Sequence, residues 1–320
     1  MHKVYPKTAS SFNKWLESNV KYKNVYFKLG NPTPFDVTLR DGIQTLSKTE
    51  QTSYSMQKKI DLYNEIYTHY KPKHMEIGSV VSEKILPIFK DSVDFYNYTQ
   101  IINKFNYSSY SFGNYILIPN HLKLLEATKL NIFRNFSFID SVSNGFQIKN
   151  TKRTIEENYV ELSNMMNHLD DSFLDKMSYN VKLYVSCINE CPISGKIDNN
   201  FIINRVLKLN NLCFDTICFS DTCGTLDPKD FAYIVDTCNR FGIPYSKMSL
   251  HLHVKQTREK EVEQIIHQAL DRNITNFDVS LLSTGGCSVT MNRESLSPNL
   301  SYDLYYKSLV NYIIENSKTD

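Results

Sequence analysis

From residue 33 onward, short apolar segments alternate with longer amphipathic ones. Residues 35–39, 74–78, 115–118, 136–140, 181–185, 215–219, 247–253 and 276–280 are the short apolar segments, and read as strands. Helical spacing follows most of them. After the first strand Ile60, Leu62, Tyr63, Ile66 and Tyr67 fall on one helical face, and residues 154–177, 200–210, 228–241, 259–271 and 302–315 repeat the pattern. Eight strands, each followed by a helix, predict an α/β fold of the (β/α)8 TIM-barrel type. No Pro/Ser-rich linker divides the chain, so residues 33–320 are expected to form one barrel domain behind an N-terminal extension, 1–32. Residues 89–114, rich in Tyr and Asn, carry no clear period.

Alternation within the strands predicts which side chains face the barrel mouth. Side chains at i and i+2 share a face, so Phe35, Val37 and Leu39 are expected on one side and Asp36, Thr38 and Arg40 on the other. The seventh strand splits the same way, with Met248, Leu250 and Leu252 against Ser249, His251 and His253. Apolar outer faces would pack on helices, and polar strand ends would converge at the carboxyl mouth. The first strand runs straight into Arg40-Asp41-Gly42. Asp-Gly after alternating hydrophobics is a hairpin signal, yet residues 43–58 are polar and lead into a helical pattern. The dipeptide is therefore expected to join a strand to a helix.

Strand ends read in order give Arg40, Asp41, Glu76, Ser143, Asp221, His251 and His253, with Cys287 shortly after the last strand. His251-Leu252-His253 places two imidazoles on one face about 6 to 7 Å apart, and Asp41 from the first strand can close the set. Two neutral nitrogens and a carboxylate suit a divalent Lewis-acid cation. Mg²⁺ or Mn²⁺ is expected, and Zn²⁺ or Fe²⁺ is compatible. Arg40 brings a permanent positive charge beside Asp41, suited to stabilising an enolate. Glu76 and Asp221 either orient ligands and water or form rim ion pairs. Cys287 follows Gly285-Gly286 on a loop that can close over the mouth, where a thiol can donate a proton; the alternative is an inert buried cysteine.

Composition narrows the partner. A net charge of +2 over 320 residues lacks the basic excess of a polyanion binder, which points to a small molecule and away from nucleic acid or an anionic membrane. No apolar run reaches the roughly 18 residues needed to span a bilayer. The first 19 residues lack the apolar middle of a secretory signal, and Arg is absent before Arg40. A soluble, cytoplasmic chain is expected, with organelle targeting as the alternative. All 7 cysteines lie beyond residue 186, an odd number without secretory context, so they are expected as reduced thiols. Cys187 and Cys191 have no second pair at zinc-ribbon spacing.

At these residues the chain resembles the DRE-TIM metallolyases, and among them the 3-hydroxy-3-methylglutaryl-CoA lyase family. Arg40-Asp41-Gly42-Ile43-Gln44 looks like the family's strand-end Arg-Asp-Gly-x-Gln, and residues 75–82 with Glu76 look like its second-strand segment. Residues 143–150 resemble the segment after the fourth strand. Residues 185–196 are similar to the Val-Ser-Cys, Cys-Pro and Gly-Lys pattern that is the most lyase-specific piece. Asp221-Thr222-Cys223-Gly224, His251-Leu252-His253 and Gly285-Gly286-Cys287 complete the order, from about residue 35 to 287.

The resemblance implies metal-dependent cleavage of 3-hydroxy-3-methylglutaryl-CoA to acetyl-CoA and acetoacetate. It implies Asp41, His251 and His253 on the cation, Arg40 on the enolate and Cys287 as proton donor, with an acyl-CoA as partner and a homodimer as the candidate assembly. Two places depart from the family pattern. Val254 stands where the family has Asp, and residues 288–294 lack the family's glycines. A straight count puts Leu296 at the family's Asn ligand, whereas Asn299 reaches it if the loop has gained three residues. Another aldolase or acyl-CoA condensing enzyme of the superfamily, or a decayed barrel acting as a binding protein, are the alternatives.

Overall fold

Short apolar runs that alternate with polar positions favour extended backbone half-buried in a sheet, and all eight expected segments contain strand. The structure, a computed structural model, describes residues 5–105, 113–173, 179–287 and 289–318. The strands are β1 (Phe35–Asp36), β2 (His74–Ser79), β3 (Gly113–Leu117), β4 (Asn135–Ser141), β5 (Asn180–Ser186), β6 (Thr216–Asp221), β7 (Met248–Leu252) and β8 (Asn276–Val279). They pair in parallel with their neighbours, and β1 closes the barrel by pairing Phe35 with both Asp278 of β8 and His74 of β2. The chain is therefore a TIM barrel. A two-stranded ribbon, Glu190–Cys191 with Gly195–Lys196, interrupts the connection after β5.

Helices follow where the apolar period changes to 3.6. Helix Ile155–Ser172 opens on a capping box in which Thr154 and Glu157 satisfy each other's backbone N–H, and residues 174–177 of the expected helix lie outside the described residues. Within the stretch that showed no period, Ser92–Phe105 is helical. Before the barrel, helices Ala9–Glu17 and Val20–Lys28 bury Phe12, Leu16 and Val25 in the main core. Phe12 lies 5.2 Å from Tyr306 of the terminal helix Tyr302–Asn316. Among the described residues no helix is long and apolar enough to cross a membrane.

β1 departs from expectation in length and in facing. Val37 has φ −119° and ψ 14°, and its carbonyl accepts from the N–H groups of Arg40, Asp41 and Gly42, so the chain leaves the ladder for a π-helical turn, Thr38–Gly42. Paired residues of parallel strands share a face, and Phe35, opposite Asp278, points into the barrel, where Val37 and Tyr115 pack on it. Asp36 points outward and accepts from the Tyr302 hydroxyl at 2.8 Å. The apolar-out reading of β1 is thus reversed, because register with β8 and not local hydropathy decides which face is inside.

Between barrel and helices, Arg205 makes a bidentate pair with Asp140 at 2.9 and 2.7 Å, and Asn158 donates to the same carboxylate at 2.8 Å. Arg205 is 4% and Asp140 1% exposed. Removing one partner strands the other charge in apolar surroundings, at a cost of about 3–5 kcal/mol. Arg205→Met is expected to lower unfolding free energy in urea by that amount, whereas Arg205→Met/Asp140→Leu recovers most of it. A loss under about 1 kcal/mol for the single variant would contradict this.

Candidate metal centre and active site

The π-helical turn answers why a strand runs into Arg-Asp-Gly. It ends the ladder and swings Arg40 and Asp41 into the carboxyl mouth. Gly42 packs closely there, and a Cβ would lie 2.9 Å from the Ser280 hydroxyl, which would have to turn away. Asp41 is fixed on both oxygens. Oδ1 accepts from Arg40 at 2.5 Å and from the Gln44 amide, and Oδ2 accepts from the Gly286 N–H at 2.9 Å. Burial pushes this carboxyl up, but Arg40, His251 and His253 outweigh it and hold Asp41 well below the usual carboxylate range.

His251 and His253 share the inner face, as alternation predicted, and are closer than an extended strand alone would place them. Their Nε2 atoms are 3.2 Å apart, and His251 Nε2 is 3.9 Å from Asp41 Oδ2. Ligand atoms of the three residues all lie within 4.8 Å of one another. The far nitrogens are occupied: Nδ1 of His251 is 3.1 Å from Asp278 Oδ2, and Nδ1 of His253 is 2.9 Å from the Ser297 carbonyl. Acceptors on both Nδ1 atoms select the Nδ1–H tautomer and turn two Nε2 lone pairs toward each other and toward a carboxylate. Such a donor set fits a cation. Burial, then His251, push the pKa of His253 down to about 4, so its neutral ligand form prevails at neutral pH.

Asn299 supports the same fit. Its backbone bridges to His253, and both polar atoms of its buried amide lack a hydrogen-bond partner. A Cβ on Gly285 would come within 2.5 Å of that amide, so Gly285 leaves the space it fills. Val254 is buried and tied through its N–H to the Pro298 carbonyl at 2.7 Å.

Arg40 donates through Nε to Glu76, which also accepts from the Tyr184 hydroxyl at 3.1 Å, and its guanidinium carbon lies 5.0 Å from the Tyr184 ring centroid. Glu76 is fully buried and orients Arg40. Cys287 lines the same cavity, with Sγ 3.7 Å from the Asn150 amide oxygen. Burial pushes the Cys287 thiol up, so it stays protonated. Cys213, not Cys287, is the exposed cysteine among the described residues.

Arg40, Asp41, His251, His253, Gly286 and Cys287 surround a cavity of about 470 Å³, with Val81, Leu86, Phe89 and Phe146 as an apolar wall. Two expected residues do not join them. Asp221 pairs with Leu252 on the outward face and accepts from the backbone N–H of Thr225 and Leu226 at 3.1 and 2.9 Å. Ser143 caps helix Asn144–Thr151, and its hydroxyl donates to Cys191 Sγ at 3.0 Å. Tyr184, Asp278 and Lys182 escaped the sequence reading. Polar alternation of Asn276, Asp278 and Ser280 against Phe277 and Val279 was the signal for Asp278.

No family model matches the chain. It is 24% identical over 253 residues to a hydroxymethylglutaryl-CoA lyase of Pseudomonas mevalonii, covering 79% of this chain and 77% of the relative. It is 26% identical over 255 residues to the mitochondrial hydroxymethylglutaryl-CoA lyase of Mus musculus, covering 79% and 71%. The fold matches an HMG-CoA lyase from Acinetobacter baumannii, solved in complex with coenzyme A and 3-methylmalate, with a TM-score of 0.70 at 21% identity over 88% of each chain. Spread across 79% of the chain at 24–26% identity, the likeness is to hydroxymethylglutaryl-CoA lyases, a group of carbon–carbon lyases from which this chain is divergent.

Proposed function

We propose that this protein is a divalent-cation-dependent lyase that cleaves 3-hydroxy-3-methylglutaryl-CoA to acetyl-CoA and acetoacetate. The observation that carries this reading is the convergence of Asp41 with two histidine Nε2 atoms at one buried point of the mouth, beside Arg40. Asp41, His251 and His253 would hold the cation, with the Asn299 amide as the fourth protein donor, and Mg²⁺ or Mn²⁺ fits these oxygen and imidazole ligands. When bound, the ion supplies Lewis-acid polarisation of the substrate hydroxyl.

The chain's own groups supply two parts of the remaining chemistry, stabilisation of the enolate and the proton that quenches it. Glu76 and Tyr184 hold the Arg40 guanidinium toward the cavity, where it stabilises negative charge growing on the thioester oxygen as the carbon–carbon bond breaks. The departing carbanion needs one proton. Cys287 keeps its proton at neutral pH and lines the same cavity, so Sγ is the donor in this reading. Val81, Leu86, Phe89 and Phe146 keep water from the enolate. An acyl-CoA partner is supported by the coenzyme A bound in the Acinetobacter relative.

The direct test is to incubate the protein with 3-hydroxy-3-methylglutaryl-CoA and Mg²⁺ or Mn²⁺ and quantify acetoacetate. Ion-dependent production is expected, and a chelator should abolish it. No product with either ion, while condensation of acetyl-CoA with 2-oxo acids proceeds, would replace the lyase by a condensing enzyme. Cys287→Ala is expected to slow cleavage about 10²- to 10⁴-fold, the range of general acid catalysis, with cation affinity retained. An unchanged rate would assign the proton to another group.

A further inference from the structure

The interior of a TIM barrel is ordinarily filled by layers of branched apolar side chains. Here a lysine lies in it. Lys182 of β5 is 1% exposed and takes its inward direction from its register with Ser137 and Thr216. Strands β6 and β7 separate β5 from β8 around the wall, so Lys182 reaches Asp278 across the barrel interior. Its ammonium donates to Asp278 Oδ1 and lies 3.5 Å from the Phe35 ring centroid and 4.8 Å from that of Tyr184. A buried ion pair is a poor device for stability, since desolvation offsets most of its attraction. Its use lies in what it orients.

Asp278 divides its carboxylate. Oδ1 takes the lysine, and Oδ2 stands 3.1 Å from His251 Nδ1 and 3.9 Å from the Cys218 thiol. One oxygen anchored from the opposite wall fixes the plane of the carboxylate, and the other then fixes the imidazole ring. We propose that Lys182 is a positioning residue: by holding Asp278 it aims His251 Nε2 at the point shared with His253 and Asp41. The inference rests on the reading of those three side chains as cation ligands. Lys182 touches neither cation nor substrate, and its effect passes through Asp278 and His251.

The test titrates Mn²⁺ calorimetrically into wild-type protein, Lys182→Met and Lys182→Arg, and records the ring-nitrogen NMR signals of His251 without metal. Loss of a partner behind a metal-ligating histidine typically costs about 10- to 100-fold in affinity. Lys182→Met is expected to weaken Mn²⁺ binding by at least about 10-fold and to shift the His251 signals away from a pure Nδ1–H form. Lys182→Arg, which can donate to the same oxygen, should restore most of the affinity and the wild-type signals. Because Lys182→Met leaves Asp278 buried without its cation, Lys182→Met/Asp278→Asn is measured as well. It carries no unpaired charge and should show the same weakening.

Wild-type affinity and unchanged His251 signals in a folded protein lacking Lys182 would overturn the inference alone. Failure of the wild-type protein to bind Mn²⁺ would overturn it together with the proposed metal site.

Discussion

Asp41→Ala is expected to abolish measurable divalent-cation binding and, with it, cleavage. Asp41 is the carboxylate of the trio, and its two oxygens are held by Arg40, Gln44 and the Gly286 N–H, so its direction is set before any ligand arrives. Losing a partner behind a ligand already costs about 10- to 100-fold in affinity. Loss of the ligand itself should exceed 100-fold by roughly another order. The two Nε2 atoms, 3.2 Å apart, would keep their positions because Asp278 and the Ser297 carbonyl hold the opposite ring nitrogens. Calorimetric titration with Mn²⁺, alongside thermal unfolding to verify folding, checks this. Wild-type affinity in Asp41→Ala would remove Asp41 from the site and leave two histidines as an ordinary hydrogen-bonded pair.

Arg40→Gln is expected to lower kcat by about 10²- to 10³-fold, the loss measured when one donor to a transition-state oxyanion is removed. Cation affinity should change far less. The separation follows from placement: Arg40 contacts Asp41 through one nitrogen and Glu76 through another, and it faces the cavity where the enolate oxygen would form. Removing it also leaves Glu76 buried beside Tyr184, which still donates at 3.1 Å. Glu76 Oε1 has no partner even with Arg40 present. Some loss of stability is therefore expected, and Arg40→Gln/Glu76→Gln distinguishes it from lost chemistry. The double variant should regain stability but not kcat. Unchanged kcat in Arg40→Gln would make the arginine a structural counter-ion of Asp41 and Glu76.

These expectations depend on side chains from distant segments meeting at one end of the barrel, and the sequence was informative about that only where the signal is local. Apolar period gave the strands and helices, since periods of 2 and 3.6 residues arise from backbone geometry alone. Alternation placed His251 and His253 on one face, and the barrel's carboxyl mouth predicted that Asp41 would join them. Facing was different. Phe35 points inward and Asp36 outward because Phe35 pairs with Asp278, a partner more than 200 positions away whose register no local pattern encodes. Asp221 was misplaced in the same way, since its opposite number, Leu252, belongs to the outer face.

Tertiary structure alone decided three further things. The turn at Val37 converts a strand into a π-helical loop because its carbonyl collects three N–H groups, and this aims Arg40 and Asp41 together. The Asn299 amide stands beside Gly285 because the chain after residue 287 returns to bridge His253, whereas a straight count along the sequence reaches Leu296. Lys182 meets Asp278 only because eight strands close into a ring narrow enough for one side chain to span. Residue types and local periods are properties of a chain segment, but inside and outside, and which charges meet, are properties of the closed sheet.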